Sequence, residues 1–283
     1  MNYKRVEKEF WTNRQRQASS IHEVSYRACF KPQLPKYFIE KYTKEDEVVY
    51  DPFGGRGTTA IEAALLGRNF ITNDINPLST LFVIGRLHPP SMQEITDRLY
   101  SKIESDTEID KIDLSMFYQY ETLKEINDLR NYFIKKKLNN YDNTDHWIKM
   151  VATNRLTGHS KGFFSVYTLP PNQATSAKRQ IQINLKRNQT PEYKDTKEII
   201  VKKSKQLLRN ISDQHIKNLD KVRSSSLILQ TDASNTKQIP SNSVKLTVTS
   251  PPFLDIVNYA QDNWLRCWFN DIDLENLAKK ITM

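Results

Sequence analysis

Four short apolar runs, each followed directly by polar or turn-forming residues, predict buried β-strands. They lie at residues 48–50, 69–73, 227–230 and 244–248, and short apolar runs bounded by turn signals are typical of strands that are covered on both faces. From about residue 78 to residue 222 the pattern is mainly helical, which is too long for a simple connection between neighbouring strands. The pattern therefore predicts an α/β fold with a large, mainly helical insertion between its second and third strands.

The first run leads into a glycine-rich turn and then into a helical pattern. The turn has the sequence DPFGGRGTT at residues 51–59, and an alanine-rich stretch follows it at 60–66. Glycines allow positive φ and a close approach to a ligand, while the first turn of a helix offers free N–H groups to a carboxylate or phosphate. The sequence has neither the Gly-Lys-Ser/Thr ending of a phosphate-binding loop nor the G-x-G-x-x-G spacing of a dinucleotide site. It therefore predicts a cofactor site of another kind.

The last run leads into a rigid proline loop, TSPPF, at residues 249–253. Because proline has no N–H to donate, two consecutive prolines end the strand and take the chain out of the sheet. Ligands of open α/β sheets bind at the carboxyl ends of the strands. A Ser-Pro-Pro triplet alone usually marks only a loop, but its place behind a predicted strand favours a functional loop.

Together the two strings resemble the motifs of S-adenosylmethionine-dependent DNA amino-methyltransferases. DPFGGRGTT is similar to motif I, whose turn receives the methionine part of the cofactor. TSPPF is similar to motif IV, in which Ser, Asp or Asn precedes Pro-Pro and an aromatic residue. The resemblance covers residues 26–79 and 227–269. It implies a class I, Rossmann-like methyltransferase sheet and S-adenosyl-L-methionine as the cofactor.

The resemblance also implies two sets of site residues. The cofactor set combines motif I with the acid that ends the second strand, a segment similar to motif X and a strand end similar to motif III. Its members are Phe30, Asp51, Phe53, Gly55, Gly57, Thr58, Asp74 and Asp232. The catalytic set is Ser250, Pro251, Pro252 and Phe253. No metal ligand is expected.

Asp74 has two possible roles. It stands 19 positions after Gly55, close to the separation of about 20 at which a βαβ unit places an acid against ribose hydroxyls. The alternative is a helix N-cap or turn aspartate before Asn76 and Pro77. The spacing favours the ribose role.

The composition indicates an intracellular protein. The chain has 283 residues, 38% of them hydrophobic, which is enough for one α/β domain with an insertion. The two cysteines, Cys29 and Cys267, match no metal or redox spacing and indicate reduced thiols. The first residues do not resemble a signal peptide, and no apolar stretch approaches the roughly 18 residues of a membrane span. We therefore expect a cytoplasmic protein with no membrane partner.

The positive charge is concentrated in one part of the chain. The net charge is +9, and residues 151–210 hold 12 Lys and Arg against 3 Asp and Glu. Aromatic residues such as Phe163 and Phe164 are interleaved with these cations, a mixture that favours a nucleic-acid partner, although a solvated lysine-rich surface would look similar.

We predict three parts: an amino-terminal arm and first half of the core at 1–80, the basic helical insertion at 81–222, and the rest of the core at 223–283.

The resemblance implies a DNA methyltransferase in restriction-modification, with a cognate endonuclease as a possible partner. In the resembled family, Ser before Pro-Pro goes most often with cytosine N4, whereas Asp or Asn goes most often with adenine N6. Cytosine N4 is therefore the favoured acceptor, on a base that is flipped out of the duplex. Adenine N6 specificity and an RNA guanine-N2 methyltransferase remain alternatives.

The carboxyl-terminal part predicts an incomplete sheet. Three further strands normally follow motif IV in the resembled family, but only 30 residues follow Phe253, with one convincing helix at about 258–269. By resemblance the strand order is 3-2-1-4, which would leave the fourth strand as an open edge. We therefore expect that a second polypeptide completes the sheet or that the gene is longer. An inactive or split fragment that only binds is a further alternative.

Overall fold

The computed structural model describes residue 7 and residues 18–103, 112–170, 173–252 and 257–281. Within these residues four strands form the sheet: β1 (Val48–Asp51), β2 (Asn69–Asn73), β3 (Leu227–Leu229) and β4 (Leu246–Thr247). All neighbours are parallel, in the order β3-β2-β1-β4. The predicted α/β class, the parallel sheet and the order 3-2-1-4 are confirmed, although β3 and β4 are shorter than the apolar runs that predicted them.

Eleven α-helices and three short 3-10 helices surround this sheet in the described part of the chain. The α-helices are α1 (Gln33–Tyr42), α2 (Thr58–Leu65), α3 (Pro77–Leu87), α4 (Met92–Ser101), α5 (Tyr120–Lys136), α6 (Asn143–Arg155), α7 (Ala177–Arg187), α8 (Thr196–Leu208), α9 (Asp213–Arg223), α10 (Trp264–Phe269) and α11 (Leu274–Lys280). The 3-10 helices are Ser20–His22, Leu138–Asn140 and Gln261–Asn263. None of these described helices is long and apolar enough to cross a bilayer.

Helix α2 is the centre of the packing, since every one of its residues is buried. The small side chains of the alanines at positions 60, 63 and 64 allow α1, α3 and α9 to pack closely against the helix. Its one acid, Glu62, lies 2.7 Å from His22 Nε2 in a buried pair. Burial lowers the pKa of His22, and the hydrogen bond with Glu62 opposes that shift. A buried carboxylate is tolerated here because it has a partner.

The helices between β2 and β3 pack onto the sheet domain in an outer layer. Helix α6 packs on α3, α8 packs on α6 and α4, and α9 returns to α2. Their buried side chains, among them Trp147 and Ile200, belong to one continuous hydrophobic cluster with Val49 and Phe70 of the sheet. The domain boundaries at 80 and 222 stay predictions.

The carboxyl-terminal helix is shorter than its pattern predicted. The expected helix at 258–269 begins as the 3-10 helix Gln261–Asn263 and continues as α10. Helix α10 packs against α6 and α11, and Trp264 Nε1 donates to the carbonyl of Thr175 at 3.0 Å.

Strand β4 lies at the edge of the sheet that the described residues form. Whether further strands pair with it stays a prediction.

Substitution of Gly57 should be costly to the fold. Gly57 precedes α2 with φ +75°, and a Cβ built there would lie 2.3 Å from Val83 Cγ2. We expect Gly57→Ala to lower the free energy of unfolding by roughly 2–4 kcal/mol, the sum of a left-handed alanine and an overpacked contact. Gly162→Ala is the control, because its Cβ would meet only Ser160 Oγ at 3.9 Å. Urea unfolding measures both, and equal stability of the two variants would contradict the packing argument.

Candidate functional site

A cavity of about 360 Å³ opens where the strands end at their carboxyl edge. Its volume falls in the range of small-molecule sites. Four stretches of chain line it: the glycine loop 51–58, the segment 73–76 after β2, the segment 231–234 after β3 and the proline loop after β4. A fifth stretch, residues 26–30, lines the cavity from the amino-terminal side, and we call residues 24–30 the strap. Tyr259, Lys280 and Ile281 line it from the carboxyl-terminal segment. The strand order of the sheet brings the first four of these stretches together.

The glycine loop keeps its shape through left-handed backbone and short hydrogen bonds. Gly55 has φ +53°, which an alanine would adopt only with strain. The N–H of Gly54 donates to the carbonyl of Asn73 at 2.8 Å, and a Cβ at Gly54 would lie 2.2 Å from Thr72 Oγ1. The loop is therefore pressed against the end of β2, with no room for a side chain at position 54.

Asp74 holds the glycine loop from the end of β2. One carboxylate oxygen accepts the N–H of Gly55 at 2.7 Å, and the other accepts the N–H of Asn76 at 2.9 Å. Asp74 therefore makes the turn to Asn76 that the alternative role expected, and it also lines the cavity. A contact with ribose hydroxyls stays a prediction. Each carboxylate oxygen has a second lone pair, so the acid can still accept hydrogen bonds from a ligand.

Asp51 joins the glycine loop to the proline loop. Its Oδ1 accepts the N–H of Phe53 at 3.1 Å and the hydroxyl of Thr249 at 2.7 Å. A second link lies close by, because Thr59 Oγ1 donates to the carbonyl of Val248 at 3.1 Å. These contacts fix the carboxyl end of β4 beside α2. As a result, Ser250 lines the same cavity as the glycine loop.

The strap is held over the cavity by buried and half-buried polar side chains from three elements. Arg56, in the glycine loop, donates to the carbonyls of Val24 at 3.0 Å and Phe30 at 3.2 Å. Arg266 of α10 donates to the carbonyl of Ser25 at 3.1 Å. The amide of Asn154, in α6, donates to that carbonyl at 2.8 Å and accepts the N–H of Ser25 at 3.1 Å. The strap thus connects the cavity to the helical segment.

The far side of the cavity is built from the end of β3. The buried amide of Asn73 donates to the carbonyl of Thr231 at 2.9 Å and accepts its N–H at 3.1 Å. Asp232 follows, exposed to solvent, and its Oδ1 accepts the N–H of Ser234 at 2.8 Å and its hydroxyl at 2.7 Å. These two hydrogen bonds lower the pKa of Asp232.

The structure brings most of the predicted site residues to this cavity. The lining residues among them are Phe30, Asp51, Phe53, Gly55, Thr58, Asp74, Asp232, Ser250 and Pro252. Gly57 is not a lining residue, because it lies against Val83 behind the loop, and Pro251 is exposed outside the lining. Phe253 lies outside the described residues. The roles assigned to all these residues stay predictions.

Several lining residues were missed by the sequence analysis. Tyr26 is buried beside Asn76 and Phe82, while Tyr259 and Lys280 line the cavity from the carboxyl-terminal segment. Arg56 stood inside the glycine-loop string but received no role. Its position between two glycines was the one available signal, because a long cation in such a loop needs acceptors nearby.

The ionisable groups of the cavity are mainly acids. Burial raises the pKa of Asp51 from 3.8 to about 6, against the effect of its hydrogen bonds from Thr249 and Phe53. Burial also raises the pKa of Asp74, against its two backbone donors. Of the cations that line the cavity, Arg27 forms an ion pair with Asp262, and Lys280 is exposed. The cavity therefore suits a ligand that carries positive charge.

A family model and several relatives that match parts of this chain are all described as methylases or methyltransferases. Residues 2–79 match the model of the N6_N4_Mtase family, described as DNA methylase. The chain is 29% identical to type II methyltransferase M.MjaII of Methanocaldococcus jannaschii over 92 residues, 32% of this chain and 17% of that protein. It is 30% identical to M.MvaI of Kocuria varians over 127 residues, 44% of this chain and 25% of that protein.

A third relative matches a shorter segment. The chain is 42% identical to type II methyltransferase M.HindIII of Haemophilus influenzae over 55 residues, 19% of this chain and 18% of that protein. The chain thus spans a quarter or less of the length of each of these relatives. No solved structure gives a significant match. The matches support a relationship to DNA methyltransferases.

The raised pKa of Asp51 should appear as a pH-dependent stability. A folded-state pKa above the unfolded one favours the protonated folded form, so this contribution is complete below about pH 4 and is lost as the pH rises through 6. We expect the free energy of unfolding of the parent, relative to that of Asp51→Asn, to fall by about 3 kcal/mol between about pH 4 and pH 7. Denaturant unfolding of both proteins across this range measures it. Parallel pH profiles would contradict the burial argument.

Proposed function

We propose that this protein transfers a methyl group from S-adenosyl-L-methionine to an exocyclic amine of a DNA base, with cytosine N4 as the favoured acceptor. The observation that carries the proposal is the shared cavity. The glycine loop, the acid after β2 and Ser250 of the proline loop line one space at the carboxyl edge of the sheet. A cofactor and an acceptor base held by these elements would meet there.

The residues present fit this cofactor. S-adenosyl-L-methionine carries a sulfonium, an ammonium and a carboxylate, hence a net positive charge, and the buried Asp51 and the half-buried Asp74 supply carboxylates. Asp74, at the end of β2, is the acceptor for the ribose hydroxyls, as βαβ folds commonly provide. The glycine loop and the strap, with Phe30, hold the methionine part. Asp232, after β3, lies on the side assigned to the adenine.

The chemistry needs alignment more than acid–base catalysis. When bound, S-adenosyl-L-methionine supplies a methyl group on a positively charged sulfur, so that transfer to an amine nitrogen forms an N–C bond, leaves a neutral thioether and releases one proton. The protein's work is to hold the amine in line and to surround it with suitable dipoles. The Ser250 hydroxyl and the Pro251 carbonyl would accept the hydrogen bonds of the base NH₂ group and favour a pyramidal nitrogen.

The acceptor base must leave the duplex. The amine of a paired base is buried, so the target base has to be flipped into the cavity, at a cost of a few kcal/mol that stacking and hydrogen bonds repay. Phe253 is the residue assigned to stacking on the base. Ser before Pro-Pro favours cytosine N4 by resemblance, with adenine N6 as the second possibility.

Four expectations from the sequence belong to this proposal. DNA is the partner that the basic segment 151–210 would contact, with its 12 cations against 3 acids. A cognate restriction endonuclease, and a second polypeptide that pairs with the edge of β4, stay predictions. A cytoplasmic location is consistent with a role in restriction-modification.

Asp74 should contribute to cofactor affinity. We expect Asp74→Asn to raise the Kd for S-adenosyl-L-methionine by roughly 5- to 150-fold, the equivalent of 1–3 kcal/mol for hydrogen bonds to a buried charge. Asp113→Ala is the control, because this exposed acid accepts the N–H of Ser115 in its own loop and does not line the cavity. Isothermal titration calorimetry measures the affinities, and circular dichroism checks that both variants are folded. Equal affinity of parent and Asp74→Asn would refute the assignment.

Methyl transfer itself gives the direct test of the function. The protein is incubated with tritiated S-adenosyl-L-methionine and unmodified duplex DNA, and the digested DNA is separated to identify the labelled nucleoside. We expect N4-methylcytosine from the parent, and for Ser250→Ala a loss of roughly 10-fold or more in kcat with cofactor affinity unchanged, because Ser250 is proposed to contact the base. Label in N6-methyladenine would change the acceptor, and label only in a parallel tRNA sample would replace DNA by RNA as the substrate.

A further inference from the structure

Helix α7 is mounted on the rest of the molecule by amide hydrogen bonds rather than by an apolar face. Gln180, its one buried residue, donates to the carbonyl of Tyr167 at 3.1 Å. Asn184 donates to the carbonyl of Met116 at 2.8 Å and accepts hydrogen bonds from Gln180 at 2.7 Å and Gln189 at 2.9 Å. The face of α7 that is turned toward the protein is therefore polar.

The opposite face of α7 carries exposed apolar, amide and cationic side chains together. Leu185 is 70% exposed and Ile181 is 45% exposed. Gln182 lies between them in sequence and is also exposed. Lys178, Gln182 and Lys186 follow each other at intervals of four residues, so they share one face, and Leu185 lies beside Lys186 on it. We call Lys178, Ile181, Gln182, Leu185 and Lys186 the outer face. A helix that packs into its own domain turns its apolar side chains inward, whereas α7 turns Ile181 and Leu185 toward solvent.

The positive charge of α7 favours a negatively charged partner. Its 11 residues contain four cations, Lys178, Arg179, Lys186 and Arg187, and no acid. The guanidinium of Arg187 lies 3.9 Å above the ring centre of Tyr167, so this cation is held at the margin of the helix. A concentration of positive charge around a polar and apolar centre is complementary to the phosphates on both sides of a DNA groove.

The chain leading into α7 is fastened to the segment that follows the proline loop. Ala174 N–H donates to the carbonyl of Asp262 at 2.8 Å, and Trp264 Nε1 donates to the carbonyl of Thr175. Tyr259, in that same segment, lines the cavity. The beginning of α7 is thus joined by two hydrogen bonds to an element of the candidate site. From this attachment we infer that a duplex with one base in the cavity would have its neighbouring base pairs near this helix.

We propose that α7 enters the major groove beside the flipped base and that Ile181, Gln182 and Leu185 of its outer face read the base sequence there. The proposal rests on the proposed function, since it assigns the recognition element of the same DNA substrate. The major groove is wide enough for one α-helix. Gln182 has the donor and acceptor pair that adenine N6 and N7 match, and Leu185 and Ile181 offer apolar contact to thymine methyl groups. Lys178, Arg179 and Lys186 would bind phosphates and fix the register.

Base contacts and phosphate contacts can be separated by one experiment. Duplexes with a randomised central region are selected by binding to the parent, Gln182→Ala, Leu185→Ala and Arg179→Gln, and the bound pools are sequenced, with affinities measured at several salt concentrations. We expect Gln182→Ala and Leu185→Ala to lose discrimination at one or two positions of the parent's preferred site, by roughly 5- to 150-fold each. Arg179→Gln should keep the preferred sequence, bind all duplexes more weakly and lower the salt slope by about 1.

Leu138→Ala is the matched control, because Leu138 is 64% exposed outside α7, in the 3-10 helix Leu138–Asn140. It should leave the selected sequence and the affinity unchanged. If the parent selects a sequence and Gln182→Ala and Leu185→Ala select it equally well, the inference is refuted. If the parent also fails to bind duplex DNA and to methylate it, the proposed function falls as well, so the two failures give different results.

Discussion

The carboxylate of Asp51 is the contact on which the candidate site depends. It lies at the end of β1, receives the N–H of Phe53 at the start of the glycine loop and the hydroxyl of Thr249 at the end of β4. Two loops that are almost 200 residues apart in the chain thereby meet at one buried acid. Burying it raises its pKa to about 6 and costs folding free energy at neutral pH. A site that binds a cation would recover this cost, because a positive ligand favours the ionised form.

Arginine side chains lie next to this acidic cavity without lining it. Arg56, Arg86 and Arg266 all have a pKa lowered by burial, that of Arg86 to about 9. They donate to backbone carbonyls, among them Phe82, Phe30 and Ser25, and Arg56 and Arg266 also donate to the side-chain oxygens of Thr58 and Asn263. These neutral acceptors do not neutralise the charges, so the cations fix the position of the strap and of the glycine loop. The molecule thus uses costly buried polar groups to shape one cavity, a pattern that is common at functional sites.

The sequence was sufficient for the features that depend on local chemistry. Apolar runs located all four strands, the glycine string located the loop before α2, and the double proline located the end of β4. Contacts between distant elements could not be predicted in this way. The resemblance to motif X indicated the segment that contains Phe30, but it did not place Tyr26 in a cavity with Asp74 and Tyr259, because that arrangement depends on the hydrogen bonds of Arg266 and Asn154 to Ser25. The helix at 258–269 was overestimated for a similar reason, since periodicity alone does not show where a chain must turn to meet a cavity.

The two-way hydrogen bonding between Asn154 and Ser25 has a consequence for how this architecture can vary. Asn154 belongs to α6, within the long segment between β2 and β3, whereas Ser25 begins the part of the strap that closes the cavity. Arg155, the next residue, stacks its guanidinium 3.9 Å above Phe163 in the loop that leads toward α7. A helical segment attached in this way cannot be replaced without an effect on the strap. Exchange of the segment would remove the hydrogen bonds of Asn154 to Ser25 unless the new segment brought its own support for the strap, so this segment and the wall of the cavity would have to evolve together.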